Sequence, residues 1–101
     1  MGVAHAADAY SGAVVRLMLV EDDRTMRETV AAYLARAGHD VVAVADGDAA
    51  ISRFAESGVD LVLLDLMLPG TGGLEVTRRL RAMRRDLPLI MVTARTQEHE
   101  R

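Results

Sequence analysis

Short apolar runs alternate along this chain with longer segments whose apolar positions recur every three or four residues. Val14 to Val20 (VVRLMLV) is the first apolar run, and it fits a strand buried on both faces, as in a parallel sheet. A helix opens at Asp23 or Arg24, with Met26, Val30, Tyr33, Leu34 and Ala37 on one face and Gly38 as its stop. His39 to Ala45 reads as a second strand. Asp46-Gly47-Asp48 then makes a turn in which Asp48 is placed to cap a helix reaching about Ser57, with Ile51 and Phe54 inward and Gly58 at its end.

Val59 to Asp65 (VDLVLLD) is the third strand, and Pro69-Gly70 turns the chain. Gly72-Gly73 precedes a third helix, about Leu74 to Arg84, with Leu74, Val76, Leu80 and Met83 expected in the core. Pro88 leads into a fourth strand, Leu89 to Thr93, and RTQEHER has the look of a helix just beginning. Strand and helix alternate three times before that last strand, which predicts a doubly wound α/β fold with a parallel sheet. Residues 1–13 show no period and read as a loose N-terminal tail, leaving 14–101 as one domain.

Composition narrows the chemistry. Half of the 101 residues are hydrophobic, but aromatics are limited to Tyr10, Tyr33 and Phe54, so aliphatic side chains and methionine must fill the core. The net charge of −3 and the lack of a basic stripe argue against a nucleic-acid surface. Cysteine is absent, which excludes disulfides and thiolate metal sites. No apolar run approaches the roughly 20 residues of a membrane helix. The start lacks the basic leader and apolar run of a secretory signal, and Gly2 lacks the myristoylation pattern, so the expected location is the cytoplasm. All 12 basic residues are arginine. The stretch Arg78, Arg79, Arg81, Arg84, Arg85 reads first as a solvated helix face and second as a docking surface. His5, His39 and His99 have no ligand spacing.

Three features fall at the carboxyl ends of the expected strands: Glu21-Asp22-Asp23, Asp65, and Thr93-Ala94. Ligands of doubly wound sheets bind at those ends, at a switch in strand order. If the first and third strands are neighbours, Glu21, Asp22 and Asp65 converge, and their mutual repulsion calls for a divalent cation. Oxygen-only donors suit a hard ion, magnesium best. A carboxylate beside it can act as a nucleophile toward phosphorus, with the Thr93 hydroxyl as a donor and Ala94 leaving room. Each piece also has a plainer reading: the acidic run as a helix cap, Asp65 as a turn former, Thr93 as β-branched filler. Their coincidence at matched strand ends favours the site.

LMLVEDDRTMRETV, VDLVLLDLMLPGTGGLEV and LPLIMVTAR together resemble the receiver domain of bacterial two-component response regulators, in particular the subfamily with a winged-helix output domain. The intervals of 43 residues from Asp22 to Asp65 and 28 from Asp65 to Thr93 agree with it, and the likeness spans about Val14 to Arg101. The resemblance implies a flavodoxin-like fold and phosphate transfer from a sensor histidine kinase onto Asp65. It implies magnesium held by Asp22 directly, by Glu21 through water, by Asp65 and by the backbone carbonyl of Met67. Asp23 would cap the first helix, and Thr93 would be the switch hydroxyl. Receivers catalyse their own phosphotransfer and dephosphorylation yet are switches rather than metabolic enzymes.

Receivers continue through a fourth helix, a fifth strand ending in lysine and proline, and a fifth helix. The expectation here is a receiver truncated after the fourth strand, with the lysine and the aromatic switch residue missing. Arg95 is the nearest cation in sequence, but its planar fork differs from a lysine point charge. The fourth strand would then be an open edge and the first helix's side of the sheet uncovered, which predicts self-association. Two other functions compete. A receiver remnant that no longer takes phosphate would serve as an interaction module. A magnesium-dependent aspartyl phosphatase would want a second aspartate two positions beyond the nucleophile, where this chain has Met67.

Overall fold

A computed structural model describes residues 15–92. Four strands, β1 (Arg16–Val20), β2 (Asp40–Val44), β3 (Leu61–Asp65) and β4 (Leu89–Val92), alternate with three helices, α1 (Arg24–Arg36), α2 (Gly47–Ser57) and α3 (Gly73–Met83). All neighbouring strands run parallel in the order β2-β1-β3-β4. The doubly wound fold is therefore as expected, and the strand order reverses between β1 and β3, where such sheets bind their ligands. β2 is one residue shorter at each end than the run from His39 to Ala45, and β3 starts two residues later than the run from Val59.

The two faces of the sheet differ. Met18, Val20, Val62 and Leu64 point to one face and are sealed beneath α2 and α3 by Ala50, Phe54, Val76 and Leu80. Each Val or Leu so buried contributes roughly 1.5–3 kcal/mol of transfer free energy. Leu19, Leu63, Ile90 and Val92 lie on the other face, where the parallel register aligns Leu19 with Leu63 and Leu63 with Ile90. There α1 covers the β2 side of the sheet, none of its residues is fully buried, and Tyr33 is 73% exposed.

Three side-chain expectations are corrected. Leu74 and Met83 are exposed rather than in the core. Leu74 falls on the far side of α3 from Val76, and Met83 is the last helical residue, beyond the cover of the sheet. Helix α2 begins at Gly47, so its cap is Asp46, whose carboxylate accepts the Ala49 N–H at 2.8 Å. Asp48 sits inside the first turn and accepts instead from the Thr71 hydroxyl at 3.1 Å. Gly47 itself is pressed against the β3–α3 loop and α3: a Cβ there would lie 2.5 Å from a Val76 methyl and 2.8 Å from the Thr71 carbonyl. The Pro69-Gly70 turn is as expected, with Gly70 at φ +68°.

Candidate functional site

Glu21 and Asp22 follow directly from β1, and Asp65 is the last residue of β3. Parallel pairing of Val20 with Leu64 brings these two ends side by side. One carboxylate oxygen from each of Glu21, Asp22 and Asp65 lies within 4.8 Å of the others. The convergence inferred from strand order is thus present in the folded chain. The sheet hides Asp65 almost completely, at 6% exposure, whereas Glu21 and Asp22 are half-buried.

Local bonds shape each member of the cluster. The Glu21 N–H donates to the Val44 carbonyl at 3.1 Å, tying the loop after β1 to the end of β2. A Glu21 carboxylate oxygen accepts the Asp23 N–H at 3.0 Å. Asp23 turns away to cap α1, accepting the Met26 N–H at 2.7 Å, which is the role expected for it. Asp65 accepts the Met67 N–H at 3.0 Å, so the turn after β3 holds one of its oxygens in place. Gly73, at the start of α3, permits that turn to pass close by. A Cβ at Gly73 would sit 2.9 Å from the Leu66 carbonyl oxygen and 3.1 Å from that of Asp65. Sequence reading treated Gly73 only as a helix leader, since nothing in a linear pattern shows a backbone passing at that distance.

Electrostatics within the cluster are unfavourable without a counter-charge. Burial raises the Glu21 carboxyl above its ordinary value. The Asp23 N–H pulls it down, while the neighbouring Asp65 and Asp22 charges push it up further. One oxygen of Asp22 is buried and has no hydrogen-bond partner among the described residues. A buried carboxylate oxygen left unpaired is costly and calls for an explanation such as an ion. The donor set is all oxygen, which fits a hard divalent cation held by Asp22, Asp65 and Glu21.

An apolar cavity of about 310 Å³ opens beside the carboxylates, walled by Leu19, Met26, Val30, Leu63 and Val92, with Glu21 and Asp65 at one end. It lies on the less covered face of the sheet. Thr93, the expected switch hydroxyl, falls outside the described residues, as do Ala94 and Arg95. Met67 lies in the turn two residues beyond Asp65, its N–H on the Asp65 carboxylate.

Comparison with known proteins follows the same lines. Residues 17–101 match the response regulator receiver domain family. Over 82 residues the chain is 45% identical to the sensory transduction protein RegX3 of Mycobacterium tuberculosis, covering 81% of this chain and 36% of that protein. Over 88 residues it is 42% identical to the phosphate regulon transcriptional regulatory protein PhoB of Klebsiella pneumoniae, covering 85% and 38%. The matched region therefore spans little more than a third of the length of these curated relatives. Among solved structures, the response regulator TrrA of Thermotoga maritima, in complex with Mg2+ and BeF, superposes with a TM-score of 0.78 at 30% identity, covering 86% of this chain and 76% of that one. The chemotaxis protein CheY4 of Vibrio cholerae superposes with a TM-score of 0.76 at 25% identity, covering 87% and 78%.

Proposed function

The chain belongs to the response regulator receiver family, and we propose that within it Asp65 accepts a phosphoryl group from a sensor histidine kinase. The observation that carries this reading is the meeting of Glu21, Asp22 and buried Asp65 at the switch in strand order, with one Asp22 oxygen buried and without a hydrogen-bond partner among the described residues. Asp22, Asp65 and the Met67 carbonyl would hold magnesium, with Glu21 acting through water. The ion, when bound, supplies positive charge against the phosphoryl oxygens.

This chain's own residues perform the remaining tasks. A carboxylate oxygen of Asp65 bonds to phosphorus as the phosphorus–nitrogen bond to the kinase histidine breaks, and that electron pair returns to the imidazole. The Met67 N–H fixes the rotamer of the attacking carboxylate. Thr93 would donate its hydroxyl to a phosphoryl oxygen and carry the switch. The receiver unit is residues 14–101, its location the cytoplasm, and its full-length output transcription, as in the relatives named as transcriptional regulators. Among the described residues no helix is long and apolar enough to cross a membrane.

A second reading is an interaction module that does not take phosphate. The aspartyl phosphatase reading is the weaker for having Met67 where a second aspartate is wanted. Intact mass after incubation with acetyl phosphate and magnesium separates them. A gain of one phosphoryl group that disappears in Asp65→Asn supports the receiver. No gain supports the interaction module, and turnover of an unrelated phosphoester supports the phosphatase.

A further inference from the structure

Helix α1 sends one side chain back to the loop that carries two of the three carboxylates. A terminal guanidinium nitrogen of Arg27 donates to the carbonyl of Glu21 at 2.9 Å and to that of Asp22 at 3.3 Å. Arg24, one turn earlier, reaches along the surface to Glu28 instead. Arg27 is half-buried, so its two bonds form where water competes less than at an open surface.

The same loop is held from the opposite side. The Glu21 N–H is bonded to the Val44 carbonyl of β2, and the Asp23 N–H to the Glu21 carboxylate. The strand end is therefore pinned between β2 and α1, with backbone contacts on both sides. A like-charged pair of side chains would otherwise rotate apart, since their repulsion favours any backbone shift that separates them. Hydrogen bonds from a charged donor are stronger than neutral ones, and a single planar group spanning two successive carbonyls fixes their relative direction.

We infer that Arg27 is a positioning residue for the cation site: it clamps the Glu21 and Asp22 carbonyls so that both carboxylates face Asp65 before any ion arrives. It touches backbone oxygens, so it acts through the ligands. This rests on the reading of the carboxylate cluster as a magnesium site. Outer partners that orient metal ligands commonly change affinity by about 10- to 100-fold when removed.

The test compares wild type, Arg27→Gln and Arg27→Lys in the full chain by amide hydrogen exchange without metal, and by magnesium titration followed through amide shifts. In Arg27→Gln, exchange at Glu21 and Asp23 should quicken while that at Val62 and Leu64, deep in the sheet, stays unchanged. Magnesium should bind about tenfold more weakly. Arg27→Lys should recover part of both effects, because an ammonium can still reach a carbonyl. Unchanged exchange at Glu21 and Asp23 in Arg27→Gln overturns the clamp, and so does quickened exchange with unaltered magnesium affinity. Quickened exchange throughout the sheet, Val62 and Leu64 included, would mark a merely structural role and also overturns it. If the wild type binds no magnesium, the cation reading fails by itself, and with it Arg27's role toward the ion. The exchange data then decide only whether the loop is held.

Discussion

Leu63 and Leu64 are neighbours on β3, yet they belong to different environments. Leu64 is fully buried beneath α2 and α3, whereas Leu63 is half-buried in the wall of an open apolar cavity. The difference runs across the whole sheet. One face is a closed aliphatic core. The other holds α1 at one side, exposed Ile90 and Val92 at the other, and the carboxylate cluster at its end. Buried apolar packing is concentrated on the first face and the carboxylates lie at the edge of the second, so substitutions should separate the two.

The largest effect is expected at the closed face. Leu64→Ala should cost about 2–5 kcal/mol, as buried leucine truncations do. The same change at Leu63 should cost under about 1.5 kcal/mol, because less apolar surface returns to water. Urea unfolding of the two variants checks the contrast, and equal losses would erase it. Next in size is Gly47→Ala, which forces a methyl onto Val76 and the Thr71 carbonyl and should cost about 1–3 kcal/mol by the same assay.

The open face makes a different prediction. β4 pairs only with β3 among the described residues, and its Ile90, Met91 and Val92 are each more than two-fifths exposed. We propose that the wild-type chain self-associates through this edge and the cavity beside α1. Sedimentation should show a non-monomeric species that Ile90→Asp shifts toward monomer with little loss of the closed core. A wild-type chain that sediments as a clean monomer contradicts the proposal.

The smallest effect belongs to the surface of α3. Glu75 is held down to about 2 by hydrogen bonds from Arg78 and Arg79. Because its folded value lies below the ordinary 4.5, its pairing stabilises the fold above pH 4.5 and is lost as pH falls from 4.5 toward about 2. Glu75→Gln should therefore differ slightly from wild type in thermal midpoint at neutral pH and low salt, and the gap should close across that acid window. These exposed pairs are screened, so added salt should shrink the gap as well.

Much of this was readable from the chain because apolar runs and turn residues act locally. The runs LMLV and LVLLD produced buried parallel strands, Asp23 capped the helix it precedes, and strand order carried Asp65 to Glu21 and Asp22. Less readable were features set by tertiary approach. Asp48 reads as the cap of α2 in the linear pattern, but the helix starts at Gly47, packed on Val76, which leaves the cap to Asp46. Leu74 matched a helical period, but the period alone does not tell which face meets the sheet. Arg27 carried no signal at all, since one more arginine on an amphipathic helix gives no hint that it reaches back six residues to a carbonyl. The role of Thr93 falls outside the described residues.

On the function proposed above, the ends of β1 and β3 form one cation-binding carboxylate site around Asp65. Its most direct test is a magnesium titration of the wild type and Asp22→Asn, followed by backbone amide shifts. Saturable shifts are predicted at residues 21–23 and 65–67 in the wild type, and their loss or marked weakening in Asp22→Asn. Shifts that never saturate, or that persist unchanged without the Asp22 carboxylate, would contradict the claim.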